Sequence, residues 1–171
     1  MEQVQQVPPP EVRHAEELAR LAEEKGPRPP GWLLTPQAVV AFVCGNDRLK
    51  ISRKFVGDVS LVERCVITLA GERALLLVGE PGTAKSMLSE LLSAAICGTS
   101  GLTVQGSAGT TEDQLRYGWN YAQLLARGPS EDALVDSPVL AAMRTGRVAR
   151  VEEITRCLPE VQDALVSVLS E

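Results

Sequence analysis

From Thr35 onward the chain sets apolar residues at helical spacing around one short, unbroken apolar run. In "TPQAVVAFV", Thr35 is a helix-capping residue type and Pro36 fits the first helical position. Val39, Val40, Phe42 and Val43 then supply the apolar contacts. "VSLVERCVITLAG" places Val59, Val62, Cys65, Val66 and Leu69 on one helical face and stops at Gly71. The run at 74–78 in "RALLLVG" ends at Gly79, the pattern of a strand buried on both faces. "SMLSELLSAAICG" returns to helical spacing through Met87, Leu88, Leu91, Leu92, Ala95 and Ile96, with Gly98 as its stop. Further on, Val148, Ala149 and Val151 form a second short apolar stretch. The closing "VQDALVSVLSE" predicts a helix with Val161, Ala164, Leu165, Val168 and Leu169 on one face.

Residues 1–35 have a different character. Prolines open the segment, and a short helix follows until Gly26, Pro27, Pro29 and Pro30 end it. Val12, Ala15, Ala19 and Ala22 make a thin apolar stripe. Alanines bury little area, so the expectation is a surface helix on a tether rather than a docking helix. His14, the single histidine, has no companion ligands and is assigned no role. The division expected is an N-terminal helical extension at 1–35 and one core domain at 36–171.

The segment between the apolar run and the next helix is "GEPGTAKS", residues 79–86. It follows the phosphate-cradling pattern G-x-x-x-x-G-K-[ST] except that Ala84 stands at the second glycine. Its context, between a buried strand and a helix, is the one that gives the pattern meaning. Gly79 and Gly82 allow backbone angles that a Cβ would penalise, and Pro81 stiffens the turn. Ala84 is tolerable there if its φ is negative. Lys85 would reach terminal phosphates, Ser86 would ligate Mg²⁺, and the helix N-terminus would add partial positive charge.

Composition narrows the partners. The formal net charge of −5 argues against a general nucleic-acid backbone binder. Cys44, Cys65, Cys97 and Cys157 are widely spaced, which suits small buried hydrophobes in a reducing cytosol. No apolar run reaches membrane-spanning length and the start is no signal peptide. A cytoplasmic protein is expected.

Glu152 and Glu153 end the second apolar stretch, where hydrolysis of a nucleotide would need one carboxylate near the magnesium shell and one near the attacking water. With them, the chain resembles the MoxR-type AAA+ ATPases. The matching stretches are "KFVGD", "LLLVGEPGTAKS", "VQGSAGTTEDQLRYGW", "ALVDSPVLAAMRTGRVARVEEITR" and "PEVQDALVSVLSE", together covering about 54–171. The resemblance implies an α/β fold, a three-layer α/β/α P-loop NTPase with a mainly parallel sheet in the order 5-1-4-3-2. It implies that Gly79, Glu80, Pro81, Gly82, Thr83, Ala84, Lys85 and Ser86 form the Walker A loop and that Glu152 and Glu153 form Walker B. Glu152 would support the metal shell and Glu153 would be the catalytic base, with Lys85 also acting in catalysis. Val56 and Gly57 match the segment that lies against adenine, and "LVDSPVLAAMRTG" a segment facing a ring pore or partner. The cofactors implied are ATP and Mg²⁺. The partners implied are further copies in a homo-oligomeric ring, a hexamer in the full-length form, and a von Willebrand A-domain protein. The ring would act as a chaperone-like ATPase that remodels or matures a client.

Two positions depart from that pattern. Glu152 replaces the usual aspartate, moving its carboxylate by about 1.5 Å. Arg150 sits in a stretch that should be apolar, and its guanidinium must find a carboxylate or solvent. The family's sensor strand, arginine finger, fifth strand and helical lid have no counterpart before Glu171, so the sequence reads as incomplete after Walker B. A nucleotide-holding or ring-joining module without turnover is the alternative. A P-loop kinase ranks below both, because "GTSGLTVQGSAGTTEDQ" holds no arginine-rich lid. The 171-residue polypeptide alone is expected to be poorly soluble or oligomeric, without appreciable ATPase activity. Size-exclusion chromatography with a phosphate-release assay checks this; a stable monomer with family-like turnover contradicts it.

Overall fold

The computed structural model describes residues 7–71 and 73–169, the last three by backbone alone. The chain divides into two compact units, 1–101 and 102–171.

The first unit is helical. Its elements are α1 (Pro10–Arg13), α2 (Ala15–Ala22), α3 (Pro36–Cys44), α4 (Val59–Ala70) and α5 (Lys85–Cys97). Thr35 caps α3 as expected, its Oγ1 accepting the Ala38 N–H at 3.1 Å, with Pro36 at the first position. Asp58 caps α4 through the Ser60 N–H at 3.0 Å. Gly98 closes α5 in the left-handed region, where an added Cβ would meet Leu33 Cδ1 at 2.8 Å. The core is formed by Leu21, Leu34, Val39, Phe42, Val43, Val62, Val66, Leu88, Leu91, Leu92 and Ile96, all buried. α5 is the most enclosed helix of the unit, buried from Leu91 through Cys97.

The packing and the sequence pattern differ at two places. The stripe of Val12, Ala15, Ala19 and Ala22 faces outward. α2 packs through the face beside it, with Leu21 buried and Leu18 half-buried, because leucines remove more apolar area from water than alanines. Charge fixes the same face. Glu11 accepts both the N–H and the hydroxyl of Ser100, at 3.0 and 2.9 Å. Glu17 accepts the Ser52 N–H at 3.0 Å and pairs with the Lys54 ammonium, which lies 4.3 Å from the centre of the Phe42 ring. His14 meets Phe42 edge-on at 5.9 Å. Burial, then the Lys54 and Arg13 cations, hold its pKa below the ordinary value.

The second difference is the run at 74–78. It belongs to no strand among the described residues, and Leu76 and Val78 are 74% and 85% exposed. A parallel strand becomes buried only when ladders flank it and helices cover its faces. No such ladder forms at this run, so hydrophobicity alone leaves it irregular.

The second unit contains β1 (Thr103–Gln105), β2 (Tyr117–Trp119), α6 (Tyr121–Arg127), β3 (Leu134–Asp136), α7 (Pro138–Thr145), β4 (Arg150–Glu152) and α8 (Pro159–Leu169). β1 and β4 pair in parallel, with Thr103 opposite Arg150 and Gln105 opposite Glu152. β2 and β3 pair antiparallel. Val104, Leu115, Val139, Cys157 and Val161 form the core. Ala164 is buried and Leu165 half-buried as the α8 pattern predicts; the side chains of Val168 and Leu169 lie outside the described residues. Cys65, Cys97 and Cys157 are buried free thiols, and Cys44 is half-buried.

The Glu17 contact generates a pH prediction. Burial pushes its carboxyl up, but the Lys54 and Ser52 hydrogen bonds outweigh that and bring its pKa from 4.5 to about 2. A depressed folded-state pKa contributes stability that is complete above pH 4.5 and is lost as the pH falls towards about 2. Urea midpoints for wild type and Glu17→Gln should differ most above this window and converge through it. A gap independent of pH contradicts the pairing.

Candidate functional site

The loop at 79–86 enters α5 directly, and Lys85 is the helix's first residue. The first N–H groups of any helix have no intrahelical acceptor, so this end offers donors and partial positive charge. Gly82 has φ +82° with nothing within 4 Å of an added Cβ, and the loop is exposed apart from the half-buried Ala84 and Lys85. The Lys85 ammonium folds back over the turn, donating to the carbonyls of Gly79 and Glu80, each at 2.7 Å, and to Thr83 Oγ1 at 3.3 Å. Thr83 Oγ1 itself donates to the Glu80 carbonyl at 2.8 Å. The ammonium is thus held above a turn that a phosphate could share with it.

Ala84 differs from the sequence expectation. Its φ is +59° and ψ +27°, left-handed rather than negative. The Cβ costs about 1–2 kcal/mol in this region. Here the general pattern's glycine has a backbone reason, and alanine occupies the position under strain.

Val56 and Gly57 lie in the same unit as this loop. Arg53 ties their turn together, donating from Nε to the Phe55 carbonyl and from Nη2 to the Gly57 carbonyl, both at 3.0 Å. Val56 is 87% exposed. A Cβ at Gly57 would run into the edge of the buried Phe55 ring.

The two glutamates belong to the second unit. Glu152 ends β4 with its side chain mostly buried, and Arg150 Nη1 lies 3.1 Å from its Oε1. Arg150 Nη2 donates to Thr103 Oγ1 at 2.9 Å on β1. The arginine that looked misplaced in the sequence therefore finds the neighbouring acid. Glu153 leaves the strand with φ +53°, half-exposed, and its Oε2 lies 3.2 Å from Arg156 Nε. Sequence reasoning passed over Gly106. Its N–H donates to the Glu152 carbonyl at 2.8 Å, and a Cβ there would lie 2.5 Å from the Glu153 carbonyl oxygen. A glycine directly after the alternating apolar–polar stretch at 102–105 was the available signal of close backbone approach.

No group of three or more His, Cys, Asp or Glu side chains able to hold a metal occurs among the described residues. Each unit by itself offers hard oxygen donors of the kind a magnesium shell uses beside phosphates and waters: the Ser86 hydroxyl in the first and the Glu152 carboxylate in the second. No helix among the described residues is long and apolar enough to cross a membrane.

Residues 74–171, more than half of the chain, match the AAA domain of the dynein-related subfamily. The chain belongs to the AAA domain family. The AAA domain has the P-loop NTPase fold, and the parallel β1–β4 pair with its helices is compatible with it. The chain is 55% identical over 167 residues to "Uncharacterized protein YehL" of Escherichia coli (strain K12), covering 97% of this chain and 46% of that protein. It is 34% identical over 95 residues to "Uncharacterized protein SH1500" of Staphylococcus haemolyticus (strain JCSC1435), covering 56% of this chain and 35% of that one. The chain thus spans less than half the length of these relatives. No solved structure matches it.

Strain at Ala84 generates the prediction for this AAA domain. Ala84→Gly should raise the stability of the protein by on the order of 1 kcal/mol in chemical denaturation, and Ala84→Val should lower it. A loss of stability with glycine contradicts the left-handed backbone.

Proposed function

We propose that this AAA domain binds ATP and hydrolyses it in a magnesium-dependent manner, as part of a MoxR-type AAA+ ring that remodels or matures a partner protein. The observation that supports this best is the loop at 79–86, which delivers Lys85 to the first position of the buried helix α5 in a chain of this family. In this reading Gly79, Glu80, Pro81, Gly82, Thr83 and Ala84 wrap the phosphates, and Lys85 exchanges its loop carbonyls for phosphate oxygens. Ser86 and Glu152 serve the magnesium shell, Glu153 is the base towards water, and Val56 and Gly57 flank the adenine. Magnesium, when bound, supplies charge neutralisation of the phosphates. Residues 1–35 act as an extension to an ATPase core at 36–171, in a cytoplasmic homo-oligomeric ring with a von Willebrand A-domain protein as a candidate partner.

A second reading is a module that holds nucleotide or joins the ring without turnover. It draws on the engagement of both glutamates by arginines, Glu152 by Arg150 and Glu153 by Arg156. Magnesium-dependent phosphate release from the full-length protein, compared with its Glu153→Gln variant, separates the two: equal release excludes Glu153 as the base.

Lys85→Ala should weaken binding of a fluorescent ATP analogue by about tenfold or more, which corresponds to about 1.4 kcal/mol. Its ammonium is the loop's mobile charge, whereas the backbone donors remain. Equal affinity in wild type and variant would remove the nucleotide assignment.

A further inference from the structure

The geometry points to Arg150 as a positioning residue: anchored to Thr103 on β1, it holds the Glu152 carboxylate in place for the metal shell of the bound nucleotide. This rests on the reading of Glu152 given above. Arg150 and Glu152 are two residues apart on β4, so the strand's period of two sets both side chains on one face of the ladder. The guanidinium spans two acidic or polar oxygens at once, with Nη1 3.1 Å from Glu152 Oε1 and Nη2 2.9 Å from Thr103 Oγ1. Thr103 is also the register partner of Arg150, so the anchor and the arginine are fixed by the same parallel ladder. The Arg150 side chain is 9% exposed and that of Glu152 18%, which limits screening of the pair by water.

Glutamate needs such a device where aspartate does not. Its extra methylene adds a rotatable bond, so the carboxylate sweeps a larger volume unless something fixes it. A planar guanidinium fixed at two points removes that freedom. The contribution is orientation rather than charge, because a cation beside Glu152 opposes the field that attracts Mg²⁺. The two effects give opposite signs when Arg150 is removed, and that makes the inference testable.

The measurement is the Mg²⁺ concentration needed for half-maximal binding of a fluorescent ATP analogue to the full-length protein, alongside its affinity without metal. Arg150→Gln should raise the Mg²⁺ requirement about tenfold, the scale typical of residues that orient a metal's ligands, and leave metal-free affinity unchanged. Arg150→Lys should fall between the two, since an ammonium holds the carboxylate but loses the two-point fork. Thr103→Val should move the requirement in the same direction by less. An unchanged or lowered requirement in Arg150→Gln overturns the inference; if that variant does not fold, an unchanged requirement in Thr103→Val overturns it. Glu152→Gln separates this from the underlying reading. No shift there removes Glu152 from the metal shell altogether, whereas a shift there without one in Arg150→Gln removes only the role of Arg150.

Discussion

The turn into α5 depends on one residue in a left-handed conformation. Ala84 at φ +59° redirects the chain so that Lys85 begins the helix and its ammonium returns over the carbonyls of Gly79 and Glu80. A right-handed Ala84 would extend the helix backwards and carry the lysine off the loop. The strain persists because α5 cannot shift to relieve it. Leu88, Leu91, Leu92 and Ile96 are buried against the rest of the first unit, and Gly98 fixes the far end. Local strain at functional turns is maintained in this way, by surroundings that over-determine the backbone.

The second unit imposes a comparable constraint. Parallel pairing sets Thr103 beside Arg150 and Gln105 beside Glu152, after which both strands stop. Gly106 and the left-handed Glu153 are where the two backbones approach too closely for a Cβ on the first strand. Consecutive acids thus receive different surroundings: Glu152 is held on the ladder, and Glu153 is turned off it into a half-exposed position. One fixed carboxylate and one freer carboxylate suit different tasks, which is the physical basis for assigning them separate roles.

Helices were legible in the sequence where capping and periodicity agreed. Thr35 with Pro36, Gly71 after α4 and Gly98 after α5 mark real ends, because each satisfies or releases a specific backbone group. The strand expected at 74–78 failed for the opposite reason. A continuous apolar run records a preference for burial and says nothing about which partner supplies the ladder. In the N-terminal helix the alanine stripe stays exposed, and the contact is made by Leu18 and Leu21, which the spacing of the stripe did not point to. At the site, the loop and both glutamates were visible as motifs. The Arg150–Thr103 anchor depends on strand register and the role of Gly106 on distances between backbones, and neither is written in local sequence.

Amide hydrogen exchange across 79–92, with and without saturating ATP and Mg²⁺, tests the central claim most directly, since it reads the backbone donors of the loop and the start of α5 themselves. The account predicts slower exchange from Gly82 to Met87 when nucleotide is bound, as these N–H groups acquire phosphate acceptors. Nucleotide binding that leaves this stretch unchanged, with protection elsewhere, would contradict it.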